Sequence, residues 1–322
     1  MALTIERIAD PDQLVALAAP LVELQKLDQV SAPHYRPVTV EDLVRLVRAD
    51  NRFAQRAILV ARQDQTIVGW CHVEPPQVAR AGGDIHPYVG AEVVFQPGLP
   101  HVAPGSEYAE VTRGLLYAAC QVRAQQDQRH VEVFVPDGCW AEQVLRNAGF
   151  QPADRWGTYV ALLAGGAIGQ SHLSVTPLRE PDLELFPATL AELDLVEGEF
   201  TVEDLNRLIA VFPDFTPQSL LLARRSGAVA GYAAVMIDKA YTSATGRERA
   251  WLGFGPLGMA VMLSGEQRDW LGTLARAAAI SVFSRGAAEL ALVASTEGKQ
   301  SSVWGRLDFR VEVRWRRWRT DL

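Results

Sequence analysis

Residues 39–46 read TVEDLVRL and residues 201–208 read TVEDLNRL, an octet written twice at an offset of 162, about half of a 322-residue chain. Repetition on this scale constrains architecture before any other signal, because each copy must bury an apolar face of its own. The likeness runs beyond the octet. ILVARQDQTIVGWCHV (58–73) lies over LLLARRSGAVAGYAAV (220–235), with Leu59/Leu221, Ala61/Ala223, Arg62/Arg224, Gly69/Gly231 and Val73/Val235 identical. VLRNAGFQPADRW (144–156) lies over VWGRLDFRVEVRW (303–315), sharing Phe150/Phe309 and Trp156/Trp315 at an offset of 159. ADPD (9–12) faces REPD (179–182) at an offset of 170. That drift is what loop insertions and deletions leave in two copies of one fold, whereas a solenoid needs shorter and more numerous units. The expectation is two homologous domains, 1–163 and 172–322, joined by the Gly-rich AGGAIGQS at 164–171.

Bulk properties narrow the class. The length suits two domains of about 150 residues each. A composition of 48% apolar and 21% charged residues gives each half a core of its own. The net charge of −7 supplies no field that would draw in nucleic acid or an anionic membrane. The basic, aromatic ending RVEVRWRRWRTDL (310–322) alternates Val311, Val313 and Trp315 against Arg310, Glu312, Arg314 and Arg316, the pattern of a last strand with a charged outer face. Neither nucleic acid nor membrane is therefore expected as a partner. Cys71, Cys120 and Cys139 lack metal-ligand spacing and suit a reducing compartment. All six histidines fall at or before His172, so the second copy has none for catalysis or metal binding, and no metal is expected. The opening MALTIERIADPD is acidic, and no run approaches the roughly 18 apolar residues of a membrane span. A cytoplasmic protein is the expectation.

Each copy opens with a short strand (Leu3 to Ile5, Leu173 to Val175) and a Pro-Asp helix-start signal. A helix with a kink at Pro20 follows in the first copy. The octet is a second helix opening, with Thr39 or Thr201 as N-cap and Asp42 or Asp204 as its acidic capping partner. Next come a β-hairpin (58–73, 220–235), a strand (91–95, 257–263), a long helix (109–125, about 270–284), a strand (130–135, 288–294), a short helix and a last strand. The order is β-α-α-β-β-β-α-β-α-β in each copy, an α+β layered sandwich with a mixed, mostly antiparallel sheet flanked by helices.

That order, with ARQDQTIVGW/ARRSGAVAGY and the endings LRNAGF/GRLDF, resembles the GNAT superfamily of N-acetyltransferases in its tandem form, similar in layout to mycothiol synthase. The resemblance implies two acyl-CoA N-acyltransferase folds and acetyl-CoA as co-substrate. It also implies a turn of the form Q/R-x-x-G-x-G/A before the long helix, where backbone N–H groups and a helix N-terminus meet a pyrophosphate. In the second copy SGEQRDWLGTLARAAAI (264–280) aligns Gln267, Trp270 and Gly272 with that turn. The implied cofactor positions are Met262, Leu263, Gln267, Arg268, Trp270, Leu271, Gly272 and Thr273, with Trp270 departing from the pattern. Two registers are open in the first copy, either Glu107, Glu110 and Thr112 or His101, Pro104 and Ser106. Neither makes a cradle, so the first copy is expected to be degenerate.

Acetyl transfer to an amine requires loss of an amine proton, a polarised carbonyl and protonation of the departing thiolate. The backbone around Met262 and Leu263 is expected to polarise the carbonyl. A Tyr on the short last helix often protonates the thiolate in this family; Leu145 and Trp304 stand at those positions. Asp238, after the third strand of the second copy, is the candidate general base, while His72 and Glu74 share one face of a strand in the first. The expected function is an N-acetyltransferase acting on the primary amine of a small molecule held between the halves, with a catalytically degenerate ligand- or partner-binding protein as the alternative.

Overall fold

The computed structural model describes residues 2–27, 39–49, 57–73, 100–105, 107–125, 130–163, 174–179, 202–203, 206, 214, 216–252, 259–261, 267–297 and 301–322. Its elements, in chain order, begin with β1 (Leu3–Ile8), α1 (Pro11–Leu27), α2 (Val40–Ala49), β2 (Ala57–Gln63), β3 (Thr66–Val73) and β4 (His101–Val102). They continue with α3 (Tyr108–Gln125), β5 (His130–Pro136), α4 (Ala141–Asn147), β6 (Gln151–Leu162), β7 (Ser174–Pro177), β8 (Leu220–Arg225) and β9 (Ala228–Ile237). The last are α5 (Lys239–Thr245), β10 (Arg249–Leu252), β11 (Met259–Val261), α6 (Gln267–Phe283), β12 (Glu289–Ser295), α7 (Ser301–Arg306) and β13 (Arg310–Asp321). The expected strand at 91–95, the linker at 164–171 and most of the second octet lie outside the described residues. Val202, Glu203 and Asn206 of that octet are helical.

The described residues form two compact units. Unit 1 comprises those at 2–73, 100–155 and 314–322, and unit 2 those at 156–313. The units and the sequence copies are thus different partitions: the chain changes unit within β6 and again within β13. Unit 1 contains the antiparallel sheet β1-β2-β3-β4. In the same unit β5 pairs antiparallel with the end of β13, from Trp315↔Pro136 to Asp321↔His130. α3 packs Val111, Leu115, Ala119 and Val122 onto Ala57, Leu59 and Ala61 of β2 and Val68, Cys71 and Val73 of β3. Gly69 makes that approach possible, since a Cβ there would stand 2.8 Å from Val111 Cγ1 and 3.1 Å from the His101 carbonyl oxygen. A second cluster joins Leu116, Val133, Val135, Leu145 and Phe150 to Trp318 of β13. The helix at the octet has its expected cap: Asp42 N–H donates to Thr39 Oγ1 (3.1 Å) and Thr39 N–H to Asp42 Oδ2 (3.0 Å). α1 runs unbroken through Pro20.

Unit 2 carries the order β6-β12-β10-β9-β8-β7, antiparallel except for the parallel pair β10·β12. Its core joins Leu274, Ala278 and Val282 of α6 to Leu290 and Leu292 of β12, Val235 of β9, and Trp304 and Phe309 around α7.

The hairpins of the two copies repeat in detail. Register shifts fall between Ala61 and Arg62 in one and between Ala223 and Arg224 in the other. Arg62 Nη1 donates to the Gln65 carbonyl at 3.5 Å, and Arg224 Nη1 to the Gly227 carbonyl at 3.4 Å. The ends of α4 and α7 also match, with Phe150 N–H on Leu145 O and Phe309 N–H on Trp304 O, both at 3.0 Å. The residue before each Phe is left-handed: Gly149 at φ 88° and Asp308 at φ 63°.

Candidate active site

The candidate site in unit 2 starts from a parallel pair of strands that part. β10 and β12 are in register at Arg249↔Glu289, Ala250↔Leu290 and Trp251↔Ala291. Beyond that point β12 continues to Ser295 paired with β6, while β11 pairs with β9 at Met259↔Ala233, Ala260↔Tyr232 and Val261↔Gly231. No pair joins β11 to β12 among the described residues. Strand edges that part in this way are the kind of backbone an extended, amide-bearing ligand pairs with.

α6 follows β11. Its first-turn N–H groups have no intrahelical partner and carry the positive end of the helix dipole. Helix begins at Gln267, a turn earlier than the periodicity indicated, so Gln267, Arg268, Trp270, Leu271, Gly272 and Thr273 all lie on its first two turns. The expectation of an open turn at Gln267–Gly272 is corrected here: Trp270 interrupts no loop, because its backbone is helical like that of its neighbours. Gly272 is buried, yet a Cβ there would meet only Leu307 Cδ2, at 3.5 Å, among the described residues. Packing against the described residues does not require glycine at this position, although glycine costs about 0.5–1 kcal/mol relative to Ala inside a helix. Met262 and Leu263 lie outside the described residues.

Asp238 is fully buried and caps α5, accepting from Tyr241 N–H at 2.9 Å through Oδ1 and from Trp251 Nε1–H at 2.9 Å through Oδ2. Both carboxylate oxygens are thus engaged within the fold. Beside it lies a cluster the sequence reading missed. Arg249, 3% exposed, donates from Nε and Nη2 to Glu289 Oε2 (3.1 and 3.0 Å) and from Nη2 to Glu312 Oε2 (2.8 Å). Arg247 bonds Glu289, Glu312 and the Tyr241 hydroxyl. The Arg249 guanidinium also lies 4.3 Å from the centre of the Tyr241 ring. Burial pushes the Glu312 carboxyl up, and hydrogen bonds and charge from Arg247 and Arg249 reverse this, leaving it below its ordinary value. Arg249 and Glu289 open β10 and β12, so this cluster ties the strands together at the end where they pair. Its local sequence trace is the charged run Arg247-Glu248-Arg249 directly before the apolar Ala250-Trp251-Leu252.

On α7, Trp304 is 1% exposed and meets Phe309 edge-on at 5.7 Å. Its Nε1–H has no hydrogen-bond partner among the described residues. Ser302 is exposed, and its carbonyl accepts from Arg306.

The matching region of unit 1 differs in chemistry. Glu107 precedes α3 and Glu110 lies in its first turn. A side-chain hydrogen bond to Glu110, with that neighbour's charge, pushes the Glu107 carboxyl above its ordinary value. Thr112 is fully buried in the same helix. Tyr108 and Trp140, at the starts of α3 and α4, meet edge-to-face at 4.6 Å. In the alternative register His101 is in β4, tilted against Trp70 at 5.1 Å, Pro104 is in the turn, and Ser106 lies outside the described residues. A cavity of about 640 Å³ lies along α3, where Glu110 and Asp321 set carboxylates beside Arg113 and Tyr117. His72 is half-buried on β3; Glu74 lies outside the described residues. Burial, with a smaller contribution from Cys120, pushes the Cys71 thiol up to about 12, and burial raises Cys120 and Cys139 too. None of the three is a thiolate nucleophile at neutral pH.

This order of elements, with a helix rising from the point where two parallel strands part, defines the GNAT fold, and the chain carries it in tandem. Solved structures agree. Over 99% of its length the chain is similar to a GCN5-related N-acetyltransferase from Sphaerobacter thermophilus, covering 95% of that chain with a TM-score of 0.63 and 14% identity. It is similar to the same extent to a tandem GNAT protein from the clavulanic acid biosynthesis pathway, covering 98% of that chain at TM-score 0.62 and 16% identity. An acetyltransferase of the GNAT family from Colwellia psychrerythraea matches 98% of this chain and 99% of its own at TM-score 0.54 and 12% identity. At such identities the likeness is one of fold, and nothing in it singles out mycothiol synthase. Neither a protein-family model nor a curated protein sequence matches the chain.

Proposed function

We propose that the protein is an N-acetyltransferase that moves an acetyl group from acetyl-CoA to the primary amine of a small molecule, with unit 2 as the cofactor site. The parting of β11 from β12 beside the start of α6, with Gly272 unfilled, carries this reading. Residues 262–273 would hold the cofactor, with the N-terminal N–H groups of α6 receiving the diphosphate. Acetyl-CoA supplies the activated acyl group. In this reading Asp238 holds α5 and Trp251 in place, and an amine that is already neutral serves as nucleophile. Unit 1, with carboxylates at the start of α3 and an aromatic pair between α3 and α4, would be a degenerate copy. Three free cysteines fit a reducing, cytoplasmic setting.

A second reading, binding without chemistry, is favoured by two observations: Asp238 has both oxygens occupied, and Trp304 stands where an acid would act. Thermal unfolding separates the two. Acetyl-CoA should raise the melting temperature by mass action, and Gly272→Glu should abolish that rise. A rise with no thiol release across an amine panel would favour binding alone. No rise at millimolar acetyl-CoA would reject both the cofactor and the site.

A further inference from the structure

The two strands that change unit do so in one register. β6 pairs with β12 from Trp156↔Ser295 to Leu162↔Glu289, and β13 pairs with β5 from Trp315↔Pro136 to Asp321↔His130. At the offset of 159 that relates the copies, all seven pairs of one ladder map onto the seven of the other, each strand coming from the opposite copy. Buried aromatic residues correspond as well: Tyr159 packs in the cluster of Trp304 and Phe309, and Trp318 in that of Leu145 and Phe150. An exchange this symmetric has an unexchanged alternative with the same backbone pairs, β6 on β5 and β13 on β12. Side chains must therefore choose between the two.

β13 carries Arg316 and Arg317 where β6 carries Gly157 and Thr158. In unit 1 Arg316 Nη2 lies 2.8 Å from Asp137 Oδ1, with Glu142 at 3.9 Å. Arg317 forks onto Asp154 (2.6 and 3.0 Å) and reaches Glu132 at 3.2 Å. Arg155 and Arg146 flank the same acids, 3.9 Å from Asp137 and 3.5 Å from Glu142, and His130 lies 3.6 Å from Glu132. Unit 2 has none of these acids: Thr296, Ser301, Val313 and Ala291 stand at the equivalent positions. Its slot is also narrow, since a Cβ at Gly157 would stand 2.9 Å from Thr296 Cγ2, and Thr158 beside it is buried. β13 laid on β12 would drive Arg316 against Thr296 and bury Arg317 without an acid. β6 laid on β5 would deprive Glu132 and Asp137 of both guanidiniums.

We propose that the acid-lined end of β5 is a strand-recognition surface selective for adjacent arginines. This selection, with the glycine-sized slot of unit 2, makes each copy close on the last strand of the other. It operates whether or not unit 2 takes acetyl-CoA.

Exposed positions at the far end of the ladder read the choice. In the full chain, His130→Cys is combined either with Asp321→Cys, which reports β13 on β5, or with Leu162→Cys, which reports β6 there. After refolding from urea and mild oxidation, peptide mapping should find the 130–321 link and no 130–162 link. Adding Arg316→Gly and Arg317→Thr gives β13 the residues of β6. The 130–321 yield should then fall about tenfold or more, the worth of a charge-assisted hydrogen bond, and the 130–162 link should appear. An undiminished 130–321 link overturns the proposal. So does its loss without a gain of the 130–162 link, since the arginines would then hold the strand without choosing it. Should the double variant not fold, Arg317→Thr alone is read in the same way.

Discussion

The buried Arg249–Glu289–Glu312–Arg247 cluster sets the most specific expectation at the scale of single residues. Glu312 is held below its ordinary carboxyl value of 4.5 in the folded state. A depressed acid contributes stability above its unfolded value and loses it as pH falls through the folded one. Wild type should therefore lose stability below about pH 4.5, and Glu312→Gln should be less stable at neutral pH but shallower in its acid limb; urea unfolding between about pH 3 and 7 measures both. An acid limb unchanged in the variant would show that the carboxyl is not held down. Asp238 illustrates what could be read at this scale and what could not. Its cap is local, with Asp at the start of α5 and Gly246 in a left-handed C-cap (φ 72°), yet a seven-residue helix offers too little periodicity to be noticed. Its second partner, Trp251, lies 13 residues away and is brought there by the antiparallel register of β9 and β10, which no local pattern encodes.

Elements were legible where their period was long. The helices expected at 109–125 and about 270–284 are found at Tyr108–Gln125 and Gln267–Phe283, and the strands expected at 130–135 and 288–294 at His130–Pro136 and Glu289–Ser295. β10 was missed because RAWL is only four residues long, below what alternation can announce. The destination of β13 was hidden for a different reason: a period of two fixes which residues face a core, not which sheet the strand joins. Buried positions fall at Trp315 and then Trp318, so the phase slips just after the chain has entered unit 1. Trp318→Ala should accordingly act on unit 1. A buried Trp truncated to Ala costs about 3–5 kcal/mol, and faster amide exchange should appear along Val131–Val135. Exchange unchanged there would mean that β13 contributes nothing to β5.

On the scale of the molecule, each compact unit includes a strand from the other sequence copy. Unit 2 sets Trp156–Leu162 of β6 against β12, and unit 1 sets Trp315–Asp321 of β13 against β5. Segments 1–163 and 172–322 expressed apart should each lack cooperative unfolding by calorimetry, and co-expression should restore it. A cooperative transition in 1–163 alone, at the temperature of the intact protein, would refute this. The repeat in the sequence was sufficient to read two related folds, but it is blind to an exchange of strands, because the exchanged residues are equivalent in the two copies.

β5 and the strand that covers it are separated by about 180 residues along the chain. Since a ribosome delivers the amino end first, β5 emerges without its neighbour, and its bare edge persists while the whole second copy is translated. Such an edge is a template for pairing with other nascent chains. The unit that is made first is finished last.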